Sequence, residues 1–155
     1  MTSVSSSRLG RSAKTAGFTL IELLVVIAII GILSSVVLAS LNTARSRGAD
    51  AAVRSNLANA RAEAELYYDT NGNSYNGTAT TPAAAGVCAA GATNGIADNV
   101  TAAASAGGGT SSCLASQSIW AASAQLKSNT AQWFCVDSTG YASTTTAVNT
   151  DGSCL

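Results

Sequence analysis

The chain has 155 residues, with eight basic and eight acidic side chains, four cysteines and no histidine. Three basic residues (Arg8, Arg11 and Lys14) precede Gly17, so the remainder carries five basic against eight acidic side chains. A mildly acidic chain without clustered Lys and Arg is a poor binder of nucleic-acid phosphates. It also lacks the commonest general base, and no nucleophile and base pair can be assembled. We therefore expect neither an enzyme nor a nucleic-acid-binding protein.

An apolar segment of 24 residues runs from Phe18 to Leu41, and Glu22 is its only ionisable side chain. As a helix it would measure about 36 Å, which is enough to cross a hydrocarbon core of about 30 Å. The basic flank before it predicts a cytoplasmic N-terminus, with residues 42–155 on the exported side. An ordinary secretory signal fits poorly, because its small residues follow the apolar run, whereas Gly17 precedes this one.

The hexapeptide GFTLIE, residues 17–22, joins the basic leader to this apolar segment. Leader, hexapeptide and apolar run together resemble the class III signal sequence of type IV pilins and type II secretion pseudopilins, over residues 8–41. The resemblance implies that a prepilin peptidase removes the leader, residues 1–17, by cutting between Gly17 and Phe18. It also implies that the new Phe18 amine is N-methylated and that subunits polymerise through their N-terminal helices.

Glu22 needs a physical explanation, because a carboxylate within a membrane span is costly and usually has a functional partner. The resemblance implies that Glu22 pairs with the Phe18 amine of a neighbouring subunit during assembly. Phe18 and Glu22 are also four residues apart, so the pair can form within one helix before assembly. The alternative is that Glu22 only favours the positive end of the helix dipole and reaches towards the headgroups.

Residues 42–70 are expected to continue the helix beyond the membrane. Apolar or small residues recur here at spacings of four and three: Ala49, Val53, Leu57, Ala60, Ala64 and Tyr67. This pattern predicts an amphipathic helix that packs on one side. No proline interrupts residues 18–68, and Asn71-Gly72 supplies a stop. The chain lacks the proline that many pilins carry in this helix, so Gly31 and the Ser34-Ser35 pair are candidate points of bending, with close helix packing as the alternative role of Gly31.

The exported head is expected in residues 71–155. Residues 78–112 are rich in Ala, Gly, Thr and Ser and are expected to be mainly loop, with a short helix marked by Ile96, Val100 and Ala103. Three later segments have strand-like patterns: residues 117–126, 132–137 and 141–148. They predict a three-stranded antiparallel meander packed on the helix. The expected fold class is α+β, with a long helical spine and a small sheet head, and the resemblance implies the ladle shape of a pilin.

The four cysteines, Cys88, Cys113, Cys135 and Cys154, show no CxxC spacing suited to zinc or redox chemistry. A small head with few large apolar residues often needs cross-links, and export permits disulfides. Four cysteines allow three connectivities. We favour Cys88–Cys113 with Cys135–Cys154, because each closes a moderate loop and the second ties down the C-terminus, as in many pilins.

Metal sites are weakly indicated, and we expect no cofactor. Residues 69–73 (DTNGN) have the alternate oxygen ligands of a calcium loop, but Ser74 and Thr80 replace its glycine and its bidentate glutamate. Turn formation explains this segment better. Asp137 and Asp151 could join a calcium site like those of some pseudopilins, although no local pattern requires one.

The resemblance implies a structural subunit of a type IV pilus or a type II secretion pseudopilus. Its expected partners are identical or related pilin subunits, the prepilin peptidase and N-methyltransferase, an inner-membrane assembly platform and, before assembly, membrane lipid. The expected location is the cytoplasmic membrane and then a periplasmic or extracellular filament. Two alternatives remain open: a minor or tip pilin with an adhesive or DNA-binding head, and a signal-anchored extracellular binding protein that never polymerises.

Overall fold

The computed structural model describes residues 17–146 and 151–154. Two features predicted from the sequence lie outside these residues. They are the leader, which precedes Gly17, and the last residue of the third predicted strand, Val148. The elements in chain order are helix α1 (Leu20–Thr70), a 3-10 turn (Gly86–Cys88), helix α2 (Ala97–Ala106) and strands β1 (Ser111–Ala115), β2 (Trp120–Gln125), β3 (Trp133–Asp137) and β4 (Ala142–Thr145). The chain divides into two compact units, one ending at Ala39 and one beginning at Ser40.

The described part of the N-terminal unit is the apolar half of α1. Its large aliphatic side chains, from Leu20 to Leu38, are exposed on all sides of the helix. This helix is long and apolar enough to cross a membrane, and none of its most apolar 18-residue window is buried. Gly31 and Ser35 are both helical, and the Ser35 hydroxyl donates to the carbonyl of Ile32 at 2.8 Å. The helix is therefore continuous at both predicted points of bending.

In the C-terminal unit, one side of α1 is buried against the head. The buried residues are Asp50, Val53, Leu57, Ala60 and Ala64. Four of them follow the predicted apolar spacing, whereas the carboxylate Asp50 does not. Val100 and Ala103 of α2 join the same core. The amphipathic pattern thus marks the helix face that carries the head.

The end of α1 coincides with the predicted stop. The backbone N–H groups of Asn71 and Asn73 donate to the carbonyls of Tyr67 and Tyr68, each at 3.0 Å. Gly72 lies between them with φ of 69°, a left-handed conformation that glycine adopts without steric cost. These bonds satisfy carbonyl groups that the last helical turn would otherwise leave unpaired.

The sheet has four antiparallel strands in the order β1-β2-β3-β4, which corrects the prediction of three. The additional strand, β1, pairs with β2 so that Ser111 lies opposite Ala124 and Ala115 opposite Trp120. Its sequence, SSCLA, contains no β-branched or aromatic residue and gives no strand signal. It forms a strand because the backbone N–H and C=O groups along the free edge of β2 pair with it over its whole length. The other strands and α2 lie within the predicted segments, and the expected α+β fold class is confirmed.

Strand β2 is covered on both faces. Its inner side chains, Trp120, Ala122 and Ala124, pack with side chains of β3 and α1 in the main core. On the outer face, Ala121 and Cys135 pack with Cys154 and the partly buried Tyr141. A strand composed largely of alanine fits this position because small side chains allow two layers to approach it closely.

Two disulfides cross-link the head. They join Cys88 to Cys113 and Cys135 to Cys154, with Cα–Cα distances of 5.6 and 5.8 Å, and this is the pairing favoured from the sequence. The first bond ties the 3-10 turn to β1, and the second ties the C-terminal segment to β3. The second bond thereby holds the cover of the outer sheet face in place.

Candidate assembly site

The first turn of α1 is closed by reciprocal bonds between Thr19 and Glu22. The Thr19 backbone N–H and hydroxyl both donate to Oε2 of Glu22, at 2.8 and 2.7 Å. The Glu22 backbone N–H donates to the Thr19 hydroxyl oxygen at 3.3 Å. This is a capping box, for which T-x-x-E is the sequence signal, and the sequence analysis missed it. Glu22 therefore stabilises the start of its own helix.

The Glu22 carboxylate can also accept a second partner, because both bonds from Thr19 use Oε2 and leave Oε1 outside the cap. A shallow cavity of about 380 Å³ adjoins the carboxylate, and its other lining residues are Phe18, Ile21, Val25 and Val26. Phe18 is 81% exposed. This surface combines several apolar side chains with one carboxylate. It suits a partner that is itself apolar and carries a single positive charge.

Gly17 and Phe18 precede the helix and are both exposed. A peptide bond joins them in the uncut chain, so the Phe18 amine arises only on cleavage. A Cβ added to Gly17 would meet no atom within 4 Å. Packing within the described residues therefore does not require glycine at this position.

In the head, Asp137 at the end of β3 organises the next turn and the C-terminal segment. Its Oδ1 accepts bonds from the Thr139 N–H and hydroxyl and from the Tyr141 N–H, at 2.9, 2.7 and 3.2 Å. Its Oδ2 accepts the Cys154 N–H at 3.2 Å. Burial by itself would raise the pKa of the Asp137 carboxyl, but these hydrogen bonds outweigh burial and lower the pKa below its usual value. The carboxylate thus faces four donors, an arrangement that suits a structural anchor better than a calcium ligand.

The remaining calcium candidates have local roles. Asp151 accepts the N–H of Ser153 at 3.1 Å, and residues 69–73 form the end of α1 and its stop. Within residues 17–146 and 151–154, no group of three or more acidic or cysteine side chains is placed to hold a metal ion. These residues are explained by turn formation.

Asp50 attaches the turn between β2 and β3 to α1. Its Oδ1 accepts the backbone N–H groups of Lys127 and Ser128 at 2.7 and 3.2 Å, and its Oδ2 accepts the Ser128 hydroxyl. Sequence reasoning missed this residue, because the bonded N–H groups are 77 and 78 residues away along the chain. The contact fixes the turn against α1.

Tyr75 links α1 to the sheet. Its hydroxyl donates to Oε1 of Glu65 at 2.9 Å, and its ring centroid lies 4.7 Å from that of Tyr68 and 6.4 Å from that of Trp120. Burial, followed by the hydrogen bond and the negative charge of Glu65, raises the pKa of Tyr75 to about 12. Trp120 is fully buried. These aromatic side chains form part of the core.

A Gly-Phe pair just before an exposed apolar helix, a glutamate in the first turn of that helix and a disulfide-linked α+β head together define a type IV pilin-like protein. Comparison with known families agrees, since residues 12–38 match the model of the prokaryotic N-terminal methylation motif.

Among individual proteins, the chain is 51% identical over 65 residues to the type IV wide pilus major component PilA4 of Thermus thermophilus. The match covers 42% of this chain and 47% of that protein, so the chain spans about half the length of this relative. No solved structure matches the chain.

Proposed function

We propose that the chain is a structural subunit that polymerises through the apolar half of α1 after cleavage between Gly17 and Phe18. The observation that carries the proposal is the helix surface from Leu20 to Leu38, which is apolar and exposed on every side. Lipid can cover this surface in the membrane, and the same helices of other subunits can cover it in a filament. The methylation motif over residues 12–38 supports the second state.

Among filaments, we propose a type IV pilus rather than a type II secretion pseudopilus. The support is the similarity to a protein that is a major component of a wide pilus. The same similarity favours an abundant subunit over a rare tip subunit. Electron microscopy with antibody labelling tests both points, because an abundant subunit labels filaments along their length and a tip subunit labels only their ends.

Glu22 can guide each subunit into its place in the filament. Within the hydrocarbon a carboxylate is costly, and the bonds from Thr19 engage only its Oε2. The methylated Phe18 amine of a neighbour would bring a cation to Oε1 while the capping bonds persist. Pairing between subunits therefore requires no unwinding of the helix start.

Processing is tested by intact-mass and N-terminal peptide mass spectrometry on protein from its native cell. We expect a chain that begins at Phe18 and carries one methyl group on its amine. A filament subunit that retains Met1 to Gly17 would contradict the proposal.

Assembly is tested with Glu22→Gln, which removes the charge but keeps an oxygen that can accept the Thr19 bonds. We expect normal membrane insertion and a strong loss of sheared filaments in electron micrographs. Thr19→Ala is the matched control, because it removes the capping hydroxyl and keeps the carboxylate, and we expect it to assemble. Wild-type filament yield from Glu22→Gln would show that the charge is not needed and that Glu22 acts only as a helix cap.

A further inference from the structure

Two arginines follow the apolar segment closely on the side expected to be exported. Arg45 and Arg47 lie four and six residues after Leu41. Basic residues near the ends of membrane spans are concentrated on the cytoplasmic side, so this position is unusual for an exported flank. Their presence there calls for a negatively charged partner near the exported surface of the membrane.

Arg47 lines a cavity of about 380 Å³ together with Asn42, Thr43, Ser46 and Ser128. Four of these residues, those numbered 42 to 47, belong to adjoining turns of α1. The fifth, Ser128, belongs to the turn between β2 and β3. All five side chains are polar, and none is a carboxylate. The Arg47 guanidinium, the Asn42 amide and the Ser46 hydroxyl present the hydrogen-bond donors that phosphate oxygens prefer, whereas the Ser128 hydroxyl already donates to Asp50.

The fold keeps the Arg47 guanidinium available. The nearest acidic side chain along the helix, Asp50, is directed at the backbone N–H groups of Lys127 and Ser128 and is 9% exposed. Arg47 makes no hydrogen bond or ion pair within residues 17–146 and 151–154. The same bonds from Asp50 hold Ser128 at the cavity wall. Helix α1 and the turn between β2 and β3 thus hold the walls of the cavity in place. Within the described part of the chain, the Arg47 guanidinium has no intramolecular partner.

We propose that this cavity binds the phosphate of an anionic phospholipid headgroup while the subunit is anchored in the membrane. Asn42 directly follows Leu41, so a span that ends at Leu41 places the cavity at the depth of the headgroup phosphates. Lipid is the occupant rather than free phosphate, because the cavity residues of α1 follow the span directly in sequence and so meet a dense layer of headgroups in the membrane-anchored state. The proposal rests on the membrane-anchored state of the proposed function and does not require polymerisation.

The test uses the full chain in nanodiscs of phosphatidylcholine with a minor share of phosphatidylglycerol. Native mass spectrometry after release counts the phosphatidylglycerol molecules that each chain retains. We expect selective retention of phosphatidylglycerol by the wild type and a drop of about tenfold or more in Arg47→Gln, the scale of losing charge-assisted hydrogen bonds to a phosphate. Excess inorganic phosphate should leave retention unchanged, and displacement by it would overturn lipid as the occupant.

Arg45→Gln is the matched control, because it removes the same charge at nearly the same depth but about 200° around the helix from Arg47. We expect a smaller loss, of at most about fivefold, which is the scale of a basic residue that acts only through its charge at an anionic surface. Equal losses of phosphatidylglycerol in the two variants would show that the lipid responds to surface charge in general, and would overturn the site. Unchanged retention in Arg47→Gln with a lower filament yield would assign the arginine to a subunit contact and overturn the lipid proposal. A chain that does not remain in the nanodisc would contradict membrane anchoring itself.

Discussion

Replacing Asp137 with asparagine should destabilise the head strongly, although the two side chains have the same shape. Asparagine keeps one carbonyl oxygen for the donors of Thr139 and Tyr141, but each bond becomes weaker because the acceptor is neutral. Its amide group would then face the N–H of Cys154, so that two donors meet. Bonds to a charged group contribute about 1 kcal/mol more than bonds to a neutral one, and a buried donor without a partner costs about 1 to 3 kcal/mol. Asp137 is 2% exposed. Because the three Oδ1 bonds share one acceptor atom, we count their weakening once and expect a loss of about 2 to 4 kcal/mol in the free energy of unfolding.

Thermal unfolding of the full chain in detergent, followed by near-ultraviolet circular dichroism, measures this loss. A change of this size lowers the Tm by roughly 10 °C in a head of this length. The matched control is Asp151→Asn, because Asp151 is exposed and, within the described residues, accepts one bond, from the Ser153 N–H at 3.1 Å. We expect a change below about 0.5 kcal/mol for the control.

The pH dependence of the same experiment has a definite sign. The folded-state pKa of Asp137 is lowered, so its contribution is complete above the unfolded pKa of about 4 and is lost as the pH falls through the folded value. The stability difference between the wild type and Asp137→Asn should therefore shrink as the pH is lowered from about 6 to below 4. A difference that stays constant over this range, or an asparagine variant as stable as the wild type, would refute the anchoring role of this carboxylate.

Two further predictions concern the core. Leu57→Ala should lower the free energy of unfolding in urea by about 3 kcal/mol, because Leu57 is fully buried. The control Leu66→Ala should lower it much less, because the Leu66 side chain is 49% exposed. Equal losses would contradict the assignment of the buried helix face. Absorbance titration should show that one of the four tyrosines ionises near pH 12, and Tyr75→Phe should remove this step. Since the folded pKa of Tyr75 lies above the unfolded value of about 10, its contribution to stability is complete below pH 10 and is lost as the pH rises towards 12. A tyrosine that still ionises near pH 12 in Tyr75→Phe would assign the shift to another ring.

Features set by local patterns were predictable from the sequence. The spacing of Val53, Leu57, Ala60 and Ala64 identified the buried face of α1, because helix periodicity depends only on neighbours along the chain. The alternation of side chains around Trp120 identified β2, because strand periodicity also depends only on neighbours along the chain. The hexapeptide at residues 17–22 identified the methylation motif, since its residue order is specific even without a structure.

Features set by distant neighbours were not predictable. Strand β1 (Ser111–Ala115) has no strand-forming composition and forms because β2 leaves an edge to be paired. Asp50 interrupts an apolar stripe, and its role depends on N–H groups supplied by a turn 77 residues later. The capping box of Thr19 and Glu22 differs from these, because its T-x-x-E signal lies within four consecutive residues and was predictable.

In the proposed filament, which would meet proteases outside the cell, the two disulfides limit the effect of a backbone cut. The covalent rings closed by Cys88–Cys113 and Cys135–Cys154 enclose α2 and β4 respectively. A single cut within either ring opens the backbone without releasing a fragment, because the disulfide still joins both sides of the cut. The glycine-rich stretch that follows α2, the kind of exposed loop that proteases favour, lies inside the first ring. A nicked head would thus keep all of its strands attached to the helix that carries it.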